Sequence, residues 1–335
     1  MNEANEIRYY LKNESNLKEK LRALKNIEKV YKLGTGASHL NYLIKTKQSK
    51  IILRKDIDKS SKGKLKREYI ALNAVKRLGI APIPLHFQQR SKIGSFILLE
   101  YVEGAPLNKT NYRLSPSFLE QLAKEIAQLH LTSISSLKNK LPLEFEEPSA
   151  CLKEIREYKK QLKPYVKSKR FFSFIDEAYT KFEKLSKKQK FKHKYCLIHS
   201  DVQEGNIIIQ NKKIKFIDWE SAMISDPATE ISYIVTQFGR PFTTKEKQAF
   251  IRFYLTHRED HFLKERVNYY IPIRVFIDFL WSILQSGKTK KGLIYYSNRK
   301  KEILGRERYT KLCIKRMLSI NLISEKQSNF LKELI

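Results

Sequence analysis

A chain of 335 residues, 41% hydrophobic and 30% charged, has about two domains' worth of length and enough apolar side chains to bury a core, which excludes a disordered polymer. Its 66 Lys and Arg outnumber 35 Asp and Glu, for a formal net charge of +31 that attracts anions of any kind, nucleotides and nucleic acid among them. The basic residues recur in nearly every segment and form no single tract, the pattern of a lysine-rich solvated surface.

The opening MNEANEIRYYLKNE mixes both charges and lacks the apolar run of a secretory leader, so a cytoplasmic protein is expected. Ile7, Tyr10, Leu11, Leu17, Leu21 and Leu24 recur at mostly helical spacing and predict one or two leading helices. IEKVYKLG, NYLIKTK and KIILRKD then read as three antiparallel strands separated by GTGAS and TKQS. In KGKLKREYIALNAVKRL, Leu65, Tyr69, Leu72 and Val75 share one helical face, and Gly79 supplies the stop. APIPLHFQ and SFILLEYV add two strands, the first made irregular by Pro82 and Pro84. Five strands with one helix after the third make a small α+β lobe ending at VEGAPLN, so the expected division is 1–102 and 103–335.

Beyond that point the periodicity is helical: PSFLEQLAKEIAQLHLTS, a pair of helices across 150–188, and more from about 227 onward. A β-rich stretch over 196–219 interrupts them, with NKK turning a hairpin between NIIIQ and IKFID. Cys151, Cys196 and Cys313 are too widely spaced for a disulfide framework or a CxxC metal site. Cys196 precedes His199 closely, yet a small buried thiol in a strand accounts for it. IPIRVFIDFLWSIL carries Arg274 and Asp278 and is not expected to span a bilayer.

The β-rich stretch also carries the chemistry. His199, Asp201 and Asn206 form H-x-D-x4-N, and Asp218 closes the following strand in I-D-W-E. Phosphoryl transfer from Mg-ATP calls for this set: a carboxylate to accept the proton of an attacking hydroxyl, and hard oxygen ligands to hold magnesium against phosphates. A bare polar turn before a hairpin, with Asp201 as a cap and Asn206 as a turn residue, explains neither the ordered spacing nor the supporting pieces of the first lobe.

With these residues the chain resembles the kinase superfamily, and more narrowly the aminoglycoside phosphotransferase and choline kinase family, from about Val30 to Tyr309. The resemblance implies a bilobal protein-kinase-like α+β fold, with a small five-stranded antiparallel N-terminal lobe and a larger, mainly helical C-terminal lobe. It implies Asp201 as catalytic base, His199 as buttress of its loop, and Asn206 and Asp218 as magnesium ligands. LGTGASHLNYLIK resembles the family's G-x-S-N-x-x-Y phosphate loop, which implies nucleotide contacts from Gly34, Gly36, Ser38 and His39, the last replacing the usual Asn. Arg54 stands where most kinases carry the phosphate-binding Lys, and its planar guanidinium suits a bidentate phosphate contact. Lys55 is expected on the opposite sheet face. Glu68 is Arg54's implied partner, an exposed helix Glu being the alternative. ILLEYVEG resembles the hinge, with backbone groups from Glu100 to Val102 meeting adenine.

Gln203, Glu220 and SDPATEISYI stand where a protein kinase would carry Lys, Gly and an APE-like motif, so protein phosphorylation is not expected. D-W-E followed by S-D-P resembles the choline, ethanolamine and thiamine kinases, which implies a small alcohol as acceptor. Asp226 and Glu230 either brace the catalytic loop, face the substrate or cap the helix near Pro227. Trp219, Glu220, Trp281, Tyr295 and Tyr296 could enclose a quaternary ammonium through cation–π contact, although each aromatic also fits a core position. The basic runs KEIREYKKQLKPYVKSKR and KKQKFKHK would repel polycationic aminoglycosides. They also keep open a kinase acting on RNA or another anionic substrate, and a catalytically weak nucleotide-binding scaffold similar to spore-coat relatives is the third reading.

Overall fold

In the computed structural model, which describes residues 2–35, 39–57, 63–143, 149–189, 194–238, 240–293 and 299–334, the chain divides into two compact units. The first is Met1–Pro142 with Asp201–Met223, and the second is Leu143–Ser200 with Ile224–Ile335. The boundary expected at Val102 falls inside the first unit, which also takes in the stretch that begins at Asp201.

The first unit opens with α1 (Glu3–Asn13) and α2 (Ser15–Lys20), followed by β1 (Ile27–Thr35), β2 (His39–Thr46), β3 (Lys50–Asp56), α3 (Lys64–Val75), β4 (Pro84–Gln88) and β5 (Phe96–Glu100). The strands form one antiparallel sheet in the order β1-β2-β3-β5-β4. Side chains alternate across a strand, so Tyr42, Ile44, Ile51, Leu53, Phe96 and Leu98 form a core with Ile7, Leu11, Leu17 and Leu24 of the leading helical segment. The same period of two sends neighbouring Arg54 and Lys55 to opposite faces. Lys55 pairs with Glu3 of α1 at 2.9 Å, and Arg54 turns to Glu68 of α3. After α3 a single 3-10 turn ends at Gly79, whose φ of +67° is the left-handed stop expected there. The irregularity expected of β4 appears as a register shift between Pro84 and His86.

The helix α4 (Pro116–His130) starts with Ser115 accepting the Phe118 N–H and Pro116 in its first turn. The hairpin Ile207–Gln210 with Lys213–Phe216 turns through Asn211 and Lys212, both at positive φ (51° and 63°), as a two-residue turn matched to strand twist requires. The VEGAPLN linker lies directly on this hairpin. A Cβ at Gly104 would come within 2.8 Å of Ile208 Cγ2 and 3.1 Å of the Ile209 oxygen, and φ there is +122°, so glycine is needed.

The second unit is helical: α5 (Cys151–Leu162), α6 (Lys169–Lys187), α7 (Pro227–Gln237), α8 (Thr244–His257), α9 (Leu263–Lys290), α10 (Arg299–Ser319) and α11 (Glu325–Glu333). The 28-residue α9 packs against α5, α7 and α10. It is long and apolar enough to cross a membrane, but 67% of its most apolar window is buried in protein, so it serves as the core helix. Phe174 and Phe182 of α6 meet Phe276 edge-on, at 5.7 and 5.6 Å between ring centres. Burial pushes the thiols of Cys151 and Cys313 up to about 12 and raises that of Cys196, which makes all three inert packing residues.

Candidate active site

Two groups of side chains in the first unit converge around Asp218. The first is built on Arg54, 8% exposed, whose Nη1 donates to Glu68 Oε1 at 2.6 Å and whose Nη2 donates to Asp218 Oδ1 at 2.8 Å. His39, at the start of β2, is buried with a carboxylate at each ring nitrogen: Glu220 Oε2 2.6 Å from Nδ1 and Asp56 Oδ1 3.2 Å from Nε2. Lys64, the first residue of α3, reaches Glu220 Oε1 at 3.1 Å. Four carboxylates thus share two cations and one imidazole. Burial alone would lower the Arg54 pKa, but Asp218 and Glu68 push it above its ordinary value and keep the guanidinium charged. Burial raises Glu68, and the nearby Asp218 and Glu220 add to that against the pull of Arg54. Glu220 goes the other way: burial opposes its charge, yet His39, Lys64 and Arg54 hold it well below the usual carboxylate range.

The second group is the loop that begins at Asp201. Asn206 Nδ2 donates to Asp201 Oδ2 at 2.7 Å and to the Asp201 backbone oxygen at 3.0 Å, while Gln203 Nε2 donates to both carboxylate oxygens at 3.1 and 3.2 Å. These bonds fix the carboxylate's rotamer and turn the Asn206 amide oxygen away from it. The Ile217 N–H donates to the Asn206 backbone oxygen at 2.9 Å, which ties the segment leading to Asp218 onto the loop. Asp218 itself has φ +70° and ψ 61°. Left-handed backbone at a non-glycine residue costs about 1–2 kcal/mol, so packing elsewhere holds it there. In the second unit Ser200, directly before Asp201 in the chain, also sits at φ +70°, and its N–H donates to Glu230 Oε1 at 2.6 Å.

A family model described as the phosphotransferase enzyme family, APH, matches residues 29–266, more than two thirds of the chain. The protein belongs to that family. Among proteins of curated function none matches the chain in sequence. Solved structures that share the fold include the spectinomycin phosphotransferase APH(9)-Ia in complex with ADP and spectinomycin, at 20% identity over 85% of this chain and 89% of that one, TM-score 0.60. The choline kinase LicA from Streptococcus pneumoniae aligns at 19% identity over 91% and 99%, TM-score 0.59. The Plasmodium vivax ethanolamine kinase Pv091845 aligns at 16% over 93% and 85%, TM-score 0.62. The α+β fold expected from the sequence is therefore that of the kinase-like phosphotransferases.

Several of the side chains singled out in the sequence have specific surroundings in this phosphotransferase. Gly34 pairs with Asn41 across β1 and β2, while Gly36, Ser38, Tyr295 and Tyr296 lie outside the described residues. The Glu100 N–H donates to the Ile83 oxygen at 2.9 Å and its carboxylate accepts the Ile83 N–H at 3.2 Å, so these groups close on β4; Val102 is buried just beyond. His199 is fully buried. Trp219 is fully buried too, its Nε1 donating to the Phe216 oxygen at 2.8 Å, which leaves its ring no face for a substrate. Glu220 belongs to the His39 and Lys64 network. Asp226 caps α7 by accepting the Ala228 N–H at 2.8 Å and pairs with the buried Arg266 at 2.8 Å. Of the two residues with roles left open, Asp226 makes the helix cap and Glu230 accepts the Ser200 N–H. Trp281 is covered by the Arg306 guanidinium, 5.3 Å from its ring centre. Lys64, Asp56 and Gln203 were not singled out as parts of a site, because a Lys among Lys-rich neighbours and single polar residues in turns carry no local signal.

Proposed function

We propose that this protein transfers the γ-phosphoryl group of ATP to a hydroxyl of a small molecule. The observation that carries the reading is the pairing of Arg54 with both Glu68 and Asp218, beside an Asp201 carboxylate held in place by Asn206 and Gln203. Family membership and the nucleotides named in related structures, ADP with the spectinomycin enzyme and ATP with the streptomycin complex of APH(2")-IIa, support ATP as donor.

In the reaction the acceptor oxygen attacks the γ-phosphorus. The bond from that phosphorus to the β,γ-bridging oxygen breaks, ADP leaves with its electron pair, and Asp201 takes the hydroxyl proton. Arg54 binds phosphate oxygens with a guanidinium that burial and its acidic partners keep charged, and Glu68 fixes its direction. Among the described residues no three His, Cys, Asp or Glu gather as a metal cluster. The Asn206 amide oxygen and the Asp218 carboxylate supply two hard donors, a set that fits magnesium and would hold it. When bound there, magnesium would neutralise charge on the phosphates. The acceptor is a small hydroxylated molecule, as the choline and ethanolamine kinases and the antibiotic kinases among the relatives suggest, and the cytoplasm is where ATP would meet it.

The test is ADP release from Mg-ATP across a panel of alcohols, with wild type and Asp201→Asn. Loss of the catalytic carboxylate should lower acceptor-dependent turnover by about 10²–10⁴-fold while ATP binding persists. Wild-type protein that binds ATP but releases no ADP with any acceptor would sink the reading in favour of a nucleotide-binding scaffold.

A further inference from the structure

Within the first unit, residues 104–112 follow the stretch 204–209 in antiparallel order through a series of contacts. Gly104 lies against Ile208 and the Ile209 oxygen, and Pro106 forms an antiparallel bridge with Ile208. Asn108 Nδ2 stands beside Gly205, 3.4 Å from the place a Cβ would take. Last in the series, the Tyr112 hydroxyl donates to Glu204 Oε1, joining positions 92 apart in the chain. The segment that makes these contacts is itself held in place. Leu107 is buried, a single 3-10 turn spans Leu107–Lys109, and Thr110 donates to the Leu107 oxygen with its N–H at 3.0 Å and its hydroxyl at 2.9 Å. The Tyr112 ring packs on Phe118 with 5.7 Å between centres, in the first turn of α4 that Ser115 caps. A ring fixed this way aims its hydroxyl in one direction.

Glu204 is a half-buried carboxylate for which the phosphotransfer chemistry has no use, and burial of such a group is costly without a hydrogen bond. Its place in the loop gives the bond a consequence. Glu204 opens the single 3-10 turn that ends at Asn206, and Gln203 comes directly before it. Gln203 and Asn206 are the two side chains that donate to the Asp201 carboxylate. The Asn206 end of the turn is tied down by the Ile217 N–H, and the Glu204 end by Tyr112. A hydroxyl bonded to a carboxylate is among the stronger hydrogen bonds, suited to holding a turn against thermal displacement. Resting on the phosphotransfer reading, we propose that Tyr112 is a positioning residue for phosphoryl transfer: through Glu204 it clamps the turn that carries Gln203 and Asn206, and so fixes the direction of the Asp201 carboxylate.

The test reads ADP release from Mg-ATP with the fastest acceptor of a panel of choline, ethanolamine, thiamine and glycerol. Tyr112→Phe removes the hydroxyl and keeps the ring on Phe118. It should lower acceptor-dependent kcat about 10–10²-fold, the effect of a misplaced reacting group, with the KM for ATP unmoved. Glu204→Ala should match it, and the double variant should lose no more than either alone, because both remove one link. Glu204→Gln, whose amide oxygen still accepts from the hydroxyl, should recover most of kcat. Full kcat in Tyr112→Phe, additive losses in the double variant, or a fall that Glu204→Gln leaves unrepaired would overturn the proposal. So would a raised acceptor KM at intact kcat in the Glu204 variants alone, which would make Glu204 a ligand of the acceptor. Amide hydrogen exchange over 202–209 reads the same link without turnover: Tyr112→Phe should speed it while β1, β2 and β3 keep wild-type protection. Unchanged exchange would overturn the clamp whether or not the protein turns over. Faster exchange in the variant of a protein that releases no ADP with any acceptor would keep the clamp and remove the kinase.

Discussion

Removing either partner of the Arg54–Glu68 pair should give unequal results. Arg54 lies 2.6 Å from Glu68, 2.8 Å from Asp218 and 3.8 Å from Glu220, and Glu68 is fully buried. Arg54→Met strands a buried carboxylate beside two others, the circumstance in which breaking a buried pair costs about 3–5 kcal/mol. Glu68→Gln keeps the shape and removes one of several carboxylates competing for a single guanidinium. Burial and those neighbours raise the Glu68 pKa above its ordinary 4.5, so the folded protein already opposes its charge, and the amide should cost less than removing the guanidinium, under about 1 kcal/mol. The sign with pH follows. A raised carboxyl contributes its stability fully below 4.5 and loses it as pH rises through the folded value, so Glu68→Gln should gain on wild type between acid and neutral pH. Urea unfolding followed by circular dichroism gives both quantities, and ADP release gives the functional cost, since Arg54 without Glu68 is free to settle on Asp218. Equal destabilisation by the two variants, or a loss of about 3 kcal/mol in Glu68→Gln, would refute the account.

Glu230→Ala should release the Ser200 N–H, costing about 1–3 kcal/mol of stability. Turnover should fall by up to about 10²-fold from misplacement of the adjoining Asp201, with little change in the KM for ATP and partial recovery in Glu230→Gln; a proportional change in the KM for ATP would contradict a bracing role. Asp278, raised by burial from 3.8 to about 6, stabilises the fold most when protonated, and its contribution declines as pH rises between those values. Relative to Asp278→Asn, wild type should therefore lose roughly 2 kcal/mol from pH 4 to 7 in matched urea titrations, and parallel curves would disprove it.

Much of the fold was legible because its signals are local. The alternation in NYLIKTK and KIILRKD, the helical face of Leu65, Leu72 and Val75, and Gly79 as a stop each depend on residues a few positions apart. The hairpin turn was legible at NKK for the same reason. The loop from Asp201 to Asn206 closes on itself within six residues, so its spacing alone announced it. By contrast the Arg54–Asp218 pair joins positions 164 apart, and the Lys64–Glu220 pair 156 apart. No window of sequence contains both partners. Glu220 and Trp219 followed Asp218 in the chain and so suggested a substrate wall, but one residue of rotation separates a ring sealed in the core from a carboxylate bound to His39 and Lys64.

The sequence by itself determined the succession of strands and helices and the spacing of Asp201, Asn206 and Asp218, because strand alternation, helix period and loop spacing are properties of neighbours along the chain; the kinase-like α+β fold came from the resemblance those motifs carry. Only the tertiary structure decided that Arg54 is shared by Glu68 and Asp218, that Glu230 accepts the Ser200 N–H, and that a guanidinium stands over Trp281. Which charges share a site depends on distance through space, and a lysine- and arginine-rich sequence offers too many equivalent pairings for order along the chain to choose among them.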